Sequence, residues 1–135
     1  MNGYTLDTNV VTAYLKRNPL VRQRIRHAVA AGYPVTLNAV SYYEIKRGLL
    51  FAGAEAQLAA FDRLWQAQGI VLFNQASLDS AAKIYSNLRT TGQLIEDADL
   101  LVAAIALVND LVLVTHNTKH ISRVVGLQLE DWLVP

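Results

Sequence analysis

Five short apolar runs interrupt an otherwise helical chain, and this alternation constrains the fold more than any other feature. The runs are Tyr4–Asp7 (YTLD), Val35–Asn38 (VTLN), Val71–Asn74 (VLFN), Leu111–Thr115 (LVLVT) and Leu127–Glu130 (LQLE). Each is four or five residues long and rich in Val, Leu or aromatic residues, which is the pattern of a short buried strand. Helical spacing of apolar residues covers Thr8–Lys16, Pro19–Ala31, Val40–Leu50, Ala54–Ala67, Leu78–Arg89 and Asp97–Asn109. Pro19 suits a first helical position, and Gly32 suits the residue that follows a helix. Strands separated by helices require right-handed crossovers, hence an α/β fold with a parallel sheet of about five strands covered on both faces. Such sheets take ligands beyond the carboxyl ends of their strands. The stretch Asp97–Asn109 is apolar nearly all round and should be the most buried helix.

At 135 residues without repeats or a linker, the chain reads as a single domain over 1–135. The absence of cysteine excludes disulfides, thiolate zinc sites, iron–sulfur clusters and cysteine nucleophiles, and it suits a reducing cytoplasm. The longest apolar run, Leu100 to Val108, falls far short of the roughly 20 residues that span a bilayer. The opening MNGYTLDTNVV has no basic segment ahead of its apolar residues and is not expected to be a signal peptide. Charge is unevenly spread. Residues 1–50 hold seven Lys/Arg and two acids, a net of +5, whereas residues 51–135 hold five and nine, a net of −4. A basic stretch attracts phosphates, and an acidic cluster repels them unless a cation intervenes.

Four places carry candidate chemistry. Asp7, at the end of the first strand, is either a helix cap or a ligand at the sheet's carboxyl edge. Glu44 completes a capping box with Ser41 if the helix starts there; if the helix starts at Asn38, Glu44 lies well inside it and needs a partner. Glu96, Asp97 and Asp99 crowd the start of an apolar helix, and the helix dipole accommodates only one or two of them. Two carboxylates about 4 Å apart repel by about 4 kcal/mol at an effective dielectric of about 20, so a cation among them would be favoured. Thr115 and Asn117, at the end of the fourth strand, serve a turn or lie near the same edge as Asp7. Strand ends at Asp7 and Thr115 can be neighbours in a parallel sheet, so acids and amides from separate elements can converge. Oxygen donors without a nearby His or Cys point to Mg2+ or Mn2+ rather than zinc. His27, His116 and His120 lack zinc-ligand spacing, and neither a phosphate-binding glycine loop nor a GxSxG elbow occurs.

The segments LDTNVV, SYYEIKRGL, IEDADLLVAAIAL and LVLVTHNTKHISRVVGLQLEDW together resemble the PIN-domain ribonucleases, and more closely the VapC-type toxins of toxin–antitoxin pairs. The resemblance covers essentially the whole chain in order. It implies a three-layer α/β/α sandwich and Mg2+-dependent endonucleolytic cleavage of RNA, with Mn2+ able to substitute. By position it implies catalytic and metal-binding roles for Asp7, Glu44 and Asp99, with Asp97 an additional acid in or beside the site. Many PIN domains have a fourth aspartate where this chain has Asn117, which can contribute through water; this departure leaves one charge fewer for a second metal. Arg22, Arg24, Arg26, Lys46 and Arg47 are candidates for holding the RNA backbone, against the plainer reading of Arg22, Arg24 and Arg26 as a solvated helix face. The resemblance further implies a small antitoxin protein whose tail wraps and inhibits the chain, and a homodimer or a toxin–antitoxin hetero-oligomer. Because a pocket of acids that accepts Mg2+ also accepts a guanidinium, the tail is expected to set an Arg or Lys among Asp7, Glu44 and Asp99 and apolar side chains near Tyr42, Tyr43, Leu49 and Phe51.

Two other readings compete. A phosphatase or phosphotransferase with Asp7 as nucleophile usually has a second acid two residues on, where this chain has Asn9. A catalytically degenerate PIN-like module that binds RNA or a protein partner need not keep all three acids.

Overall fold

The computed structural model describes all residues, Met1–Pro135. Its five strands form one parallel sheet in the order β3-β2-β1-β4-β5: β1 is Tyr4–Leu6, β2 Val35–Asn38, β3 Ile70–Val71, β4 Val112–Val114 and β5 Leu129–Glu130. Between them run α1 (Thr8–Leu15), α2 (Pro19–Ala30), α3 (Ala39–Ala52), α4 (Glu55–Gln68), α5 (Gln75–Thr90), α6 (Asp97–Val108) and α7 (Thr118–Ile121). The chain builds outward from β1 to β3 and then returns to add β4 on the other side of β1. The reversal puts a topological switch point, and therefore a crevice, beyond the ends of β1 and β4.

The core is divided by the sheet. On one face Leu6, Val35, Leu37 and Val114 pack with Val10 and Val11 of α1, Val21 and Ile25 of α2, and Phe61 and Leu64 of α4. On the other, Leu113 packs with Val102 and Ala106 of α6 and Ile121 of α7. The opposite placement of Leu113 and Val114 follows from the two-residue alternation of a strand. Helix α6 buries six residues, more than any other helix, as its apolar composition requires. Gly3, just before β1, has φ +139°, and a Cβ there would lie 2.6 Å from the Pro34 carbonyl oxygen, so the approach of β1 to β2 depends on glycine.

Several boundaries differ from the sequence expectation. The third strand covers Ile70–Val71 rather than Val71–Asn74, because Asn74 is committed to starting α5. Its side chain accepts from the Ser77 amide at 2.8 Å while the Ser77 hydroxyl accepts from the Asn74 amide at 2.9 Å. This reciprocal cap moves the helix start to Gln75, ahead of the expected Leu78, and leaves Leu72 and Phe73 in an exposed connection. The first, fourth and fifth strands are each shorter than expected, and the single turn of α7 stands where only a cap or turn was expected.

Candidate functional site

Asp7 follows β1 directly and caps α1, its Oδ1 accepting from the Thr8 amide at 2.9 Å. Capping and site placement therefore coexist in one residue. The register sets Leu6 beside Val114, so Asp7 lies beside Thr115: the Asp7 amide donates to the Val114 carbonyl at 2.9 Å, and the Thr115 hydroxyl donates to Asp7 Oδ2 at 2.7 Å. Asp7 is 7% exposed. Burial pushes its carboxyl above the usual value, the Thr115 and Thr8 hydrogen bonds pull it down, and the Glu44 charge raises it further.

Glu44 lies in the interior of α3. The helix is started by Asn38, whose side chain accepts from the Val40 and Ser41 amides, and the Ser41 hydroxyl returns a bond to the Asn38 amide. The capping box is thus Asn38–Ser41, and the alternative pairing of Ser41 with Glu44 is overturned. Glu44 Oε1 instead accepts from the Thr8 hydroxyl at 2.6 Å, and its Oε2 lies 3.8 Å from Arg47 Nη2. Thr8 therefore holds two carboxylates at once, Asp7 through its amide and Glu44 through its hydroxyl.

Asp99 is the third residue of α6, whose cap residue Glu96 makes no side-chain cap bond. Burial raises the Asp99 carboxyl above its usual value, with Asp7, Glu96 and Glu44 adding repulsion, while a hydrogen bond from Asn117 opposes them. That bond runs from Asn117 Nδ2 to Asp99 Oδ2 at 2.9 Å, and the Asn117 Oδ1 is engaged by His120 Nδ1 at 2.9 Å. As placed, Asn117 positions Asp99 and has its own oxygen occupied.

Asp7, Glu44, Asp99 and Asn117 line one open cleft of about 550 Å³ beyond the ends of β1 and β4, together with Thr8, Asn9, Thr12, Glu96 and Ala98. Asp97 is exposed and outside this lining. Glu96, not singled out individually from sequence, is inside it; its place beside the apolar helix start was the available signal. No three acidic or histidine side chains are gathered into ready chelating geometry. In donor chemistry the cleft nevertheless fits a hard divalent cation: its acidic lining is all oxygen, and the repulsion on Asp7 and Asp99 is not relieved by any paired Lys or Arg.

The basic candidates separate. Arg47 pairs with Glu44 and sits over the Tyr43 ring at 5.1 Å, beside the cleft. Lys46 pairs with Asp62 at 3.4 Å. Arg22 donates to the Tyr14 carbonyl at 3.0 Å, whereas Arg24 and Arg26 make no ion pair on α2. His116 pairs with Asp131 at 2.9 Å.

A family profile described as PIN domain matches residues 4–127. The chain is 30% identical over 128 residues to "Ribonuclease VapC1" of Methanocaldococcus jannaschii, covering 93% of this chain and 85% of that protein. It is 28% identical over 131 residues to "Ribonuclease VapC1" of Haemophilus influenzae, covering 96% of this chain and 97% of that protein. Among solved structures, VapBC2 from Rickettsia felis bound to a promoter DNA fragment matches with a TM-score of 0.88 at 23% identity, covering 96% of this chain and 98% of that one. The last likeness establishes the five-stranded fold.

Proposed function

The chain belongs to the PIN-domain family and is related over nearly its whole length to VapC-type ribonucleases, and from that premise we propose that it is an Mg2+-dependent endoribonuclease, the toxin of a toxin–antitoxin pair. The carrying observation is convergence: Asp7 after β1, Glu44 inside α3 and Asp99 in the first turn of α6 line one cleft at the switch point. Three carboxylates from three elements carry a local charge that serves no fold-stabilising pairing, apart from the loose contact between Glu44 and Arg47.

Asp7, Asp99 and Glu44 would hold the cation, whose Lewis acidity would assist attack of water on the phosphodiester and offset the charge that develops there. The chain's own contribution is orientation. Thr8 and Thr115 hold Asp7 by one oxygen each, Thr8 holds one oxygen of Glu44, and Asn117 holds one oxygen of Asp99, so each carboxylate is oriented and keeps lone pairs for the cleft. An antitoxin would inhibit by setting a guanidinium or ammonium among the same acids, because a cationic fork and a metal ion answer the same charge. With that activity and that partner the protein would work in the cytoplasm, either as a homodimer or as a hetero-oligomer with the antitoxin.

The test is RNA cleavage by wild type and Asp7→Asn, with Mg2+ and with EDTA. The substitution removes the charge and keeps the shape, so cleavage should vanish in the variant and in EDTA. Equal cleavage by two equally folded proteins would refute the proposal.

A further inference from the structure

An acidic cleft repels the phosphates it is meant to cut, so affinity for a polyanion must come from elsewhere on the surface. A second concavity, of about 790 Å³, lies among the C-terminal end of α1, α2 and α4. Its lining includes Lys16, Arg17, Arg22 and Arg63 and no acid. None of the four makes an ion pair; the salt bridges of the molecule are Met1–Asp110, Lys46–Asp62, Arg47–Glu44 and His116–Asp131. Arg22 is held without a carboxylate: its guanidinium stacks 4.3 Å over the Tyr14 ring and donates to the Tyr14 carbonyl, and its Nε is buried without a partner. Four cations without a counter-ion cost energy in the free protein and gain it when an anion arrives.

A third concavity links the basin to the cleft along α1. A hollow of about 220 Å³ between them shares Thr8, Thr12 and Glu44 with the cleft, and shares Leu15, Lys16 and Gln57 with the basin. The groove therefore follows α1, carboxylates at one end and cations at the other, over roughly 12 Å at about 1.5 Å per residue. A strand with one phosphate at the carboxylates can place later phosphates among the cations. Arginine's planar fork matches phosphate oxygens, and Lys16 adds a point charge.

We propose that Lys16, Arg17, Arg22 and Arg63 form a phosphate-binding site that holds the backbone of single-stranded RNA one helix length away from the carboxylates. The inference rests on the nuclease reading and extends it, since Lys16, Arg17 and Arg63 lie outside the basic set suggested by the sequence. Arg24 and Arg26 do not line the basin, and Lys46 and Arg47 are already paired with acids.

The experiment is an anisotropy titration of a labelled single-stranded oligoribonucleotide in EDTA, repeated over a range of salt concentrations. Lys16 and Arg63 are exposed, so the double variant Lys16→Glu/Arg63→Glu should fold as wild type does. It should bind about tenfold more weakly at low salt, and its salt slope should fall by about 1.4, the value for two lost single-strand phosphate contacts. Lys83→Glu/Arg89→Glu on α5, also exposed, matches the change in net charge and should alter affinity less than twofold. Equal losses in the two double variants, or wild-type affinity and slope in the basin variant, overturn the inference. So does loss of affinity for an acidic protein segment with RNA affinity intact, which would give the basin to a protein. If basin variants bind RNA normally while Asp7→Asn abolishes cleavage, this inference fails and the nuclease reading stands. Basin-dependent binding without any Asp7-dependent cleavage removes the nuclease reading instead.

Discussion

Thr8 joins Asp7 and Glu44, the only two acids of residues 1–50. Its amide is fixed by the Asp7 cap, and its hydroxyl reaches Glu44 across the α1–α3 contact. Thr8→Val keeps the amide, the branching and nearly the volume, and removes only the hydroxyl donor to Glu44. Loss of an orienting group beside a metal site typically costs 10- to 100-fold, so the cleavage rate should fall by about that much while Thr8→Ser stays near wild type. Melting temperatures should barely differ, because Glu44 is part-exposed and can turn to water. A Thr8→Val enzyme as active as wild type would leave Glu44 without need of its anchor. The acids themselves were legible in sequence: Asp7 from its place after an apolar run, Asp99 from its charge beside an apolar helix. Thr8 was not, because its partner is 36 residues away and nothing local distinguishes it from an ordinary first-turn threonine.

Helix starts decide which side chains reach the cleft. The sequence admits two starts for α3, and they assign Glu44 opposite roles. The choice of Asn38 is made by tertiary context, since its side-chain Nδ2 donates to the Thr5 hydroxyl and the Leu6 carbonyl, tying the cap to β1. The two residues of the discarded capping pair should therefore separate in experiment. Ser41→Ala removes a buried cap hydroxyl and should cost about 1 kcal/mol in urea unfolding, with cleavage per folded molecule retained. Glu44→Gln keeps an acceptor for Thr8 and removes the charge, so folding should change little and cleavage should fall at least as far as in Thr8→Val. Coincident effects of the two substitutions on both readouts would reinstate the capping role. The same physics explains the strand ends: Asn74 could close a strand or open a helix, and its bond with Ser77 decides for the helix.

Across the whole molecule, the sheet order and the charge distribution act together. Return of the chain to β4 beside β1 creates the crevice, α6 then feeds acid into it, and α1 leads from it toward the cations. The order of strands was readable only as a class, because alternation dictates a parallel sheet but not where the chain reverses. The acids gathered at that reversal make apo stability depend on pH. Burial, and repulsion among Asp7, Asp99, Glu44 and Glu96, raise the folded-state carboxyls of Asp7 and Asp99 above the ordinary value of 3.8. The folded protein therefore binds protons more tightly than the unfolded chain, so these two groups destabilise the fold above their folded values, and the penalty disappears as pH falls toward 3.8. Asp99→Asn removes that penalty and can keep the Asn117 bond through its amide oxygen. In EDTA it should melt at or above wild type at neutral pH, with the gap closing on acidification. Mg2+ should raise the wild-type midpoint at neutral pH more than that of Asp99→Asn, and should do less in acid, where protons compete for the same oxygens. A variant that in EDTA melts clearly below wild type at neutral pH, with that deficit shrinking on acidification, would mean that Asp99 stabilises the first turn of α6 as an ordinary dipole partner, and that the cleft's charge is structural in origin.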